Sequence, residues 1–189
     1  YNYSNDYAHK IPEHQKKSRI IRFPIMKSHP NWLNEKYHKT FDWFLNLGSH
    51  DINLINYFFD NELKFHKAYM INSLHVRSDF LYKKSLVSFD LVNTGLGIWE
   101  EGGEFIFEKG RIIFKIPSPM NKNKITNIKI QFNSNRKVTQ YNLKGTWPFK
   151  FQANYLISSL TNGNDFLCMV QDCMEDIKLI EKIWKDISS

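Results

Sequence analysis

Glycine is scarce in this chain, 8 in 189 residues, and none of it forms a phosphate-cradling loop. Thr94-Gly-Leu-Gly-Ile-Trp99 lacks the third glycine and the following helix that a dinucleotide fingerprint needs, so it reads as a turn. There are 2 cysteines. Cys168 and Cys173 stand five apart in a helical pattern, point in different directions, and suit neither a mutual disulfide nor a metal pair, which favours a reducing compartment. His29, His38, His50, His66 and His75 fall at no metal-ligand spacing, so no metal is expected, and no cofactor is signalled. No Gly-x-Ser-x-Gly nucleophile elbow occurs. No apolar run approaches the roughly 20 residues of a membrane span. The chain begins at Tyr1 without a secretory signal, which leaves a removed targeting peptide open.

What is present is aromatic and basic. Hydrophobic residues make up 42% and aromatic residues 15%, enough for a packed core and against wholesale disorder. The net charge of +7 suits nucleic acid, an anionic surface or an acidic protein. Only Lys16, Lys17, Arg19 and Arg22 form a true basic cluster, because acidic residues are interspersed elsewhere.

Residues 1–33 show no lasting periodicity and are punctuated by Pro12, Pro24 and Pro30. They read as an extended arm in which only 19–26 could form a strand. From Asn34 helical spacing sets in. Tyr37, Phe41, Phe44 and Leu45 lead to Gly48, read as a C-terminal cap, and Ser49 and Asp51 open a second helix carrying Ile52, Ile55 and Phe59. The expected result is a helical hairpin. Residues 63–67 and 70–76 read as strands and 78–84 as a short helix. From Ser85 to Lys144 short strands alternate. Phe105 and Phe107 share a face, as do Ile112, Phe114 and Ile116, then Ile128, Ile130 and Phe132, then Thr139, Tyr141 and Leu143, while Lys115, Lys129 and Gln131 lie opposite. After Gly163, Phe166, Val170, Cys173, Ile177, Ile180, Trp184 and Ile187 recur at alternating steps of four and three. Such a stripe packs either on its own domain or on a partner helix.

These elements predict an α+β fold, a helical hairpin on a curved, cone-like antiparallel sheet. The divisions are 1–33 (arm), 34–147 (cone-like domain) and 148–189 (C-terminal amphipathic helical extension). The stretch from Phe44 to Phe65, with its polar turn and the phrase Asp60-Asn-Glu-Leu63, resembles the helical opening of nuclear transport factor 2-like, or SnoaL-like, domains. Ile128 to Tyr141 resembles their closing hairpin, and the resemblance spans about 34–144. It implies a pocket between helices and concave sheet, used by some members for dehydratase or isomerase chemistry and by others for binding or dimerisation.

Acid/base candidates for such a pocket are Asn93, His66, Asp90 and Tyr141, with His75 and Tyr82 nearby in sequence. By strand phase Asn93 and Tyr141 point inward with the apolar set, whereas Asp90 points away from Phe89 and Leu91. Since the inward face is almost wholly apolar, the sequence favours a filled core over a reaction chamber. The expectation is therefore a non-catalytic scaffold subunit, intracellular and in an organelle such as the mitochondrion. Its protein partners would be held by Lys16, Lys17, Arg19 and Arg22 of the arm and by Phe166, Val170, Ile177 and Trp184 of the last helix, with homodimerisation through the sheet also open. A SnoaL-like enzyme or ligand carrier, and a nucleic-acid-binding accessory protein, are the competing expectations.

Overall fold

A computed structural model describes residues 18–28, 41–59, 62–94, 97–122, 124–134, 137–143, 147–163 and 170–189. Its frame is one eight-stranded sheet. The strands are β1 (Ser18–Lys27), β2 (Lys64–Asn72), β3 (His75–Tyr82), β4 (Ser85–Asn93), β5 (Glu101–Phe107), β6 (Gly110–Ile116), β7 (Thr126–Phe132) and β8 (Val138–Leu143). They lie in the order β2-β3-β4-β1-β5-β6-β7-β8. Every pairing is antiparallel except β1 with β4, which run parallel from Ile20 beside Leu86 to Lys27 beside Asn93. The helices are α1 (Phe41–Phe58), α2 (Pro148–Asn162) and α3 (Val170–Ser188).

Three expectations about the fold are corrected. Residues 18–27, assigned to an arm, form the strand at the centre of the sheet. Alternation explains it: Ile21, Phe23 and Ile25 are buried on one face while Arg22 and Pro24 remain exposed on the other, a half-buried strand in period two. Pro24 keeps its place although it has no N–H to give to a ladder. The helical hairpin is a single helix, because α1 runs unbroken through Gly48. A side chain there would begin 3.3 Å from the Leu91 side chain. Glycine thus costs about 1 kcal/mol of helix propensity and lets the helix lie close on β4. Residues 78–84, read as a short helix, lie instead in β3 and the turn after it, where Lys83 takes a φ of 52°. The result is an open mixed sheet rather than an antiparallel cone.

One face of the sheet carries the core. Phe23 sits 6.0–6.3 Å, ring to ring, from Phe58, Phe59, Phe105 and Phe114. Gly103 makes room for this packing, since a Cβ there would lie 2.6 Å from the Phe114 ring. α3 packs on α1 and β2. Ile180 and Ile183 are fully buried, and Trp184 meets Phe41 and Phe44. Asp176 accepts hydrogen bonds from Asn53 and Asn56 of α1, both at 2.6 Å, and Asp186 accepts one from the Ala68 backbone N–H at 2.8 Å. The opposite sheet face is polar. There Asp90 accepts from His75 at 2.9 Å, if that ring nitrogen carries the proton, and Arg77 and Ser88 bind Asp79. No described helix is long and apolar enough to cross a membrane.

Candidate functional site

The inward phase of β1 ends on a charge. After Ile21, Phe23 and Ile25 the next inward residue is Lys27, 1% exposed. The end of β1 is clamped on both sides: Thr94 N–H donates to the Lys27 carbonyl at 3.0 Å, and Met26 and Glu100 exchange backbone hydrogen bonds at 2.8 and 2.9 Å. Lys27 and Asn93 therefore lie side by side at the carboxyl ends of the parallel pair, where β5 begins with Glu101. Helix α1 passes above and contributes Asp51, fully buried.

The Lys27 ammonium is satisfied completely. It lies 3.0 and 2.8 Å from the two Asp51 oxygens, 2.8 Å from Glu101 Oε1 and 4.7 Å from the centre of the Trp99 ring. Trp99 Nε1 donates in turn to Glu101 Oε2 at 3.1 Å. Two carboxyls around one buried cation leave an excess negative charge if both ionise. Burial, and then the field and hydrogen bond of Glu101, push Asp51 well above its ordinary 3.8, against the opposing pull of Lys27. The cluster is thus poised to hold a proton.

His50 precedes Asp51 on α1 and keeps an exposed edge. Crowding by surrounding protein, then the positive charge of Lys27, lower its pKa below 6.5, with Glu101 partly offsetting them. Its imidazole is therefore mainly neutral at pH 7 and able to accept a proton.

The residues singled out by sequence scatter. Asn93 is buried beside Lys27 and belongs to the site. Asp90 lies on the other face of the sheet with His75. His66 is exposed on edge strand β2. Tyr141 is 37% exposed on edge strand β8. Tyr82 packs against Phe59, ring centres 4.7 Å apart. Lys16, Lys17 and Phe166, and the side chain of Arg19, lie outside the described residues. Arg22 is exposed on the polar sheet face, Val170 and Ile177 are exposed, and Trp184 is committed to α1. Sequence reasoning missed Lys27, Asp51 and Glu101. The available signal was Lys27 continuing the inward phase of β1, together with an aspartate set among apolar helix positions.

No family model matches the chain, and no curated protein matches it. Solved structures do. The chain is similar to KijD10, a 3-ketoreductase from Actinomadura kijaniata in complex with NADP and TDP-benzene, with 12% identity and a TM-score of 0.77 over 99% of this chain and 59% of that one. It is similar also to the dehydrogenase MviM from Clostridium difficile, with 15% identity and a TM-score of 0.68 over 97% of this chain and 59% of that one. The chain therefore spans less than two thirds of the length of either protein, and what it shares with them is the fold.

These likenesses replace the resemblance to nuclear transport factor 2-like, SnoaL-like domains. The fold is similar to that of a large part of the KijD10 and MviM chains. The non-catalytic scaffold reading and the leaning against an enzyme fall with it, as does the SnoaL-like alternative. No observation supports the organellar setting.

An NADP phosphate cradle does not fit the described residues. Gly102 and Gly110 are consumed by strand pairing, since a Cβ at either would lie 2.2 or 2.3 Å from a carbonyl oxygen of the neighbouring strand. Gly103 is consumed by the Phe114 ring. Gly97 takes positive φ outside any described helix, and Gly163 takes it as the C-terminal cap of α2, the end opposite to where a pyrophosphate would sit.

Proposed function

We propose that this chain is the substrate-side sheet portion of an oxidoreductase, with the nicotinamide cofactor bound outside these 189 residues. The carrying observation is the sealed Lys27–Asp51–Glu101 cluster at converging strand ends, with His50 beside it at the surface. Reduction of a carbonyl or oxidation of an alcohol requires one proton to move at the substrate oxygen. His50, kept neutral by its surroundings, takes that proton in alcohol oxidation and returns it in carbonyl reduction. Lys27 and Glu101 set the field around it, and the Lys27–Asp51 pair locks the end of β1 against α1. KijD10 is a 3-ketoreductase solved with NADP and TDP-benzene, which makes ketones, TDP-linked ones included, the first substrates to try.

The test is NADPH oxidation by the natural protein containing this chain, against a panel of ketones that includes TDP-linked ones. Replacing His50 by Asn is expected to lower kcat about 100-fold or more while leaving the KM for NADPH unchanged. An NMR titration should place the wild-type imidazole below 6.5, as its surroundings require. Full activity of H50N would sink the assignment.

A further inference from the structure

Trp99 is fixed from within and partly open to solvent. Its indole N–H donates to Glu101 Oε2 at 3.1 Å, and the Lys27 ammonium lies 4.7 Å from the ring centre. Lys27 is buried, so the part of the half-buried indole that meets solvent lies away from that ammonium. The backbone carrying the ring is held as well. Glu100 exchanges backbone hydrogen bonds with Met26 at 2.8 and 2.9 Å. Ser28 Oγ donates to the Ile98 carbonyl at 3.4 Å and shares a 3.1 Å hydrogen bond with Thr94 Oγ1. Gly97 turns the chain into this segment at a φ of 68°, a conformation that side-chain-bearing residues rarely adopt. His50 borders the same charge. It directly precedes Asp51, whose carboxylate oxygens lie 2.8 and 3.0 Å from the Lys27 ammonium, and its imidazole responds to both Lys27 and Glu101. An apolar flat surface and a proton acceptor thus both reach solvent beside one buried ammonium.

We propose that the open part of the Trp99 indole is the wall on which a substrate's ring rests while His50 serves its oxygen. The site then selects ketones and alcohols that bear an uncharged flat ring beside the reacting carbon. This rests on the oxidoreductase reading. With its N–H given to Glu101 and Lys27 over the ring, the indole has only carbon left to offer. Such a surface takes flat partners, stacked or edge-on. A ring already fixed in orientation loses no further freedom when the ligand arrives, and neither does a rigid ring laid against it. An open-chain ketone meets the same His50, but it covers the indole only by giving up the freedom of its chain.

The test uses the natural protein containing this chain, with acetophenone as the ring-bearing probe and 2-octanone as an open-chain ketone of the same carbon count. Two readouts are followed. One is KM and kcat for NADPH oxidation. The other is the NMR signal of the Trp99 indole N–H, assigned as the signal that Trp99→Phe removes, titrated with each ketone in the presence of oxidised NADP so that no turnover occurs. For wild type, acetophenone is expected to have a KM about tenfold below that of 2-octanone and to shift the Trp99 signal saturably. Trp99→Leu keeps apolar bulk without the ring, so it should raise the KM for acetophenone about tenfold and leave that for 2-octanone within about twofold. Trp99→Phe keeps a ring without the N–H, and should retain the preference. If W99F loses the preference as W99L does, the effect runs through the missing bond to Glu101 and the proposal is overturned. A Trp99 signal that acetophenone does not move overturns it too, and that readout needs no variant beyond the assignment. Reduction of both ketones with equal KM sinks the ring wall and leaves the oxidoreductase reading standing. A saturable shift at Trp99 with neither ketone reduced does the reverse.

Discussion

The two wings of the sheet are built from similar residues and packed differently. On the wing formed by β2, β3, β4 and β1, Val76, Phe80, Val87, Phe89 and Leu91 are fully buried, because α1 and α3 lie over them. On the other wing Ile112, Ile116, Ile130 and Leu143 are only partly buried, and on the edge strand Tyr141 stays 37% and Val138 54% exposed. Both wings have the same two-residue alternation. The difference is the helix layer, and the charged cluster sits at its border, where β1 meets β5 beneath α1. Such a border lets a fully buried charged cluster adjoin His50, which is exposed.

That contrast can be broken in order of expected effect. Lys27→Met, which leaves Asp51 and Glu101 buried without a cation, should cost about 3–5 kcal/mol in urea unfolding. A loss below about 1 kcal/mol would mean that the cluster is wetter than its geometry implies. Next comes a matched pair of truncations: Leu91→Ala should cost about 3 kcal/mol and Leu143→Ala about 1 kcal/mol. Equal losses would erase the distinction between the wings.

The smallest effect at neutral pH is expected for Asp51→Asn, which mimics the protonated side chain and still accepts from Lys27. It should change stability by less than about 1.5 kcal/mol, but it should alter the pH profile. Asp51 binds its proton more tightly in the folded state, so its contribution is fully present below 3.8 and is lost as pH rises toward the raised folded value. In D51N that downward slope above 3.8 should vanish when unfolding is followed across pH. If the slope persists unchanged, another group is responsible.

Much of the fold was legible because strands and helices announce themselves by period. The phases of β4 through β8 and the inward or outward orientation of Asn93 and Asp90 follow from alternation alone. The spacing of Ile180, Trp184 and Ile187 marked a helix, yet could not say whether its stripe met a partner or its own domain. Trp184 on Phe41 and Phe44, and Asp176 between Asn53 and Asn56, answer for the C-terminal part of α3. Gly48 misled because a glycine after an apolar stretch usually ends a helix. Here it serves close contact with Leu91, a reason that exists only once β4 lies beneath it.

The candidate site was the least legible part. Lys27, Asp51 and Glu101 are separated by 24 and 50 positions, carry no motif, and individually look like surface charges. Sequence by itself determined which residues alternate and which recur at helical spacing, because those are properties of neighbours along the chain. Tertiary structure alone decided that β1 inserts parallel to β4 in mid-sheet and that three ionisable groups converge where all are buried. Strand neighbours and desolvation depend on contacts between distant segments, and local period carries no record of them.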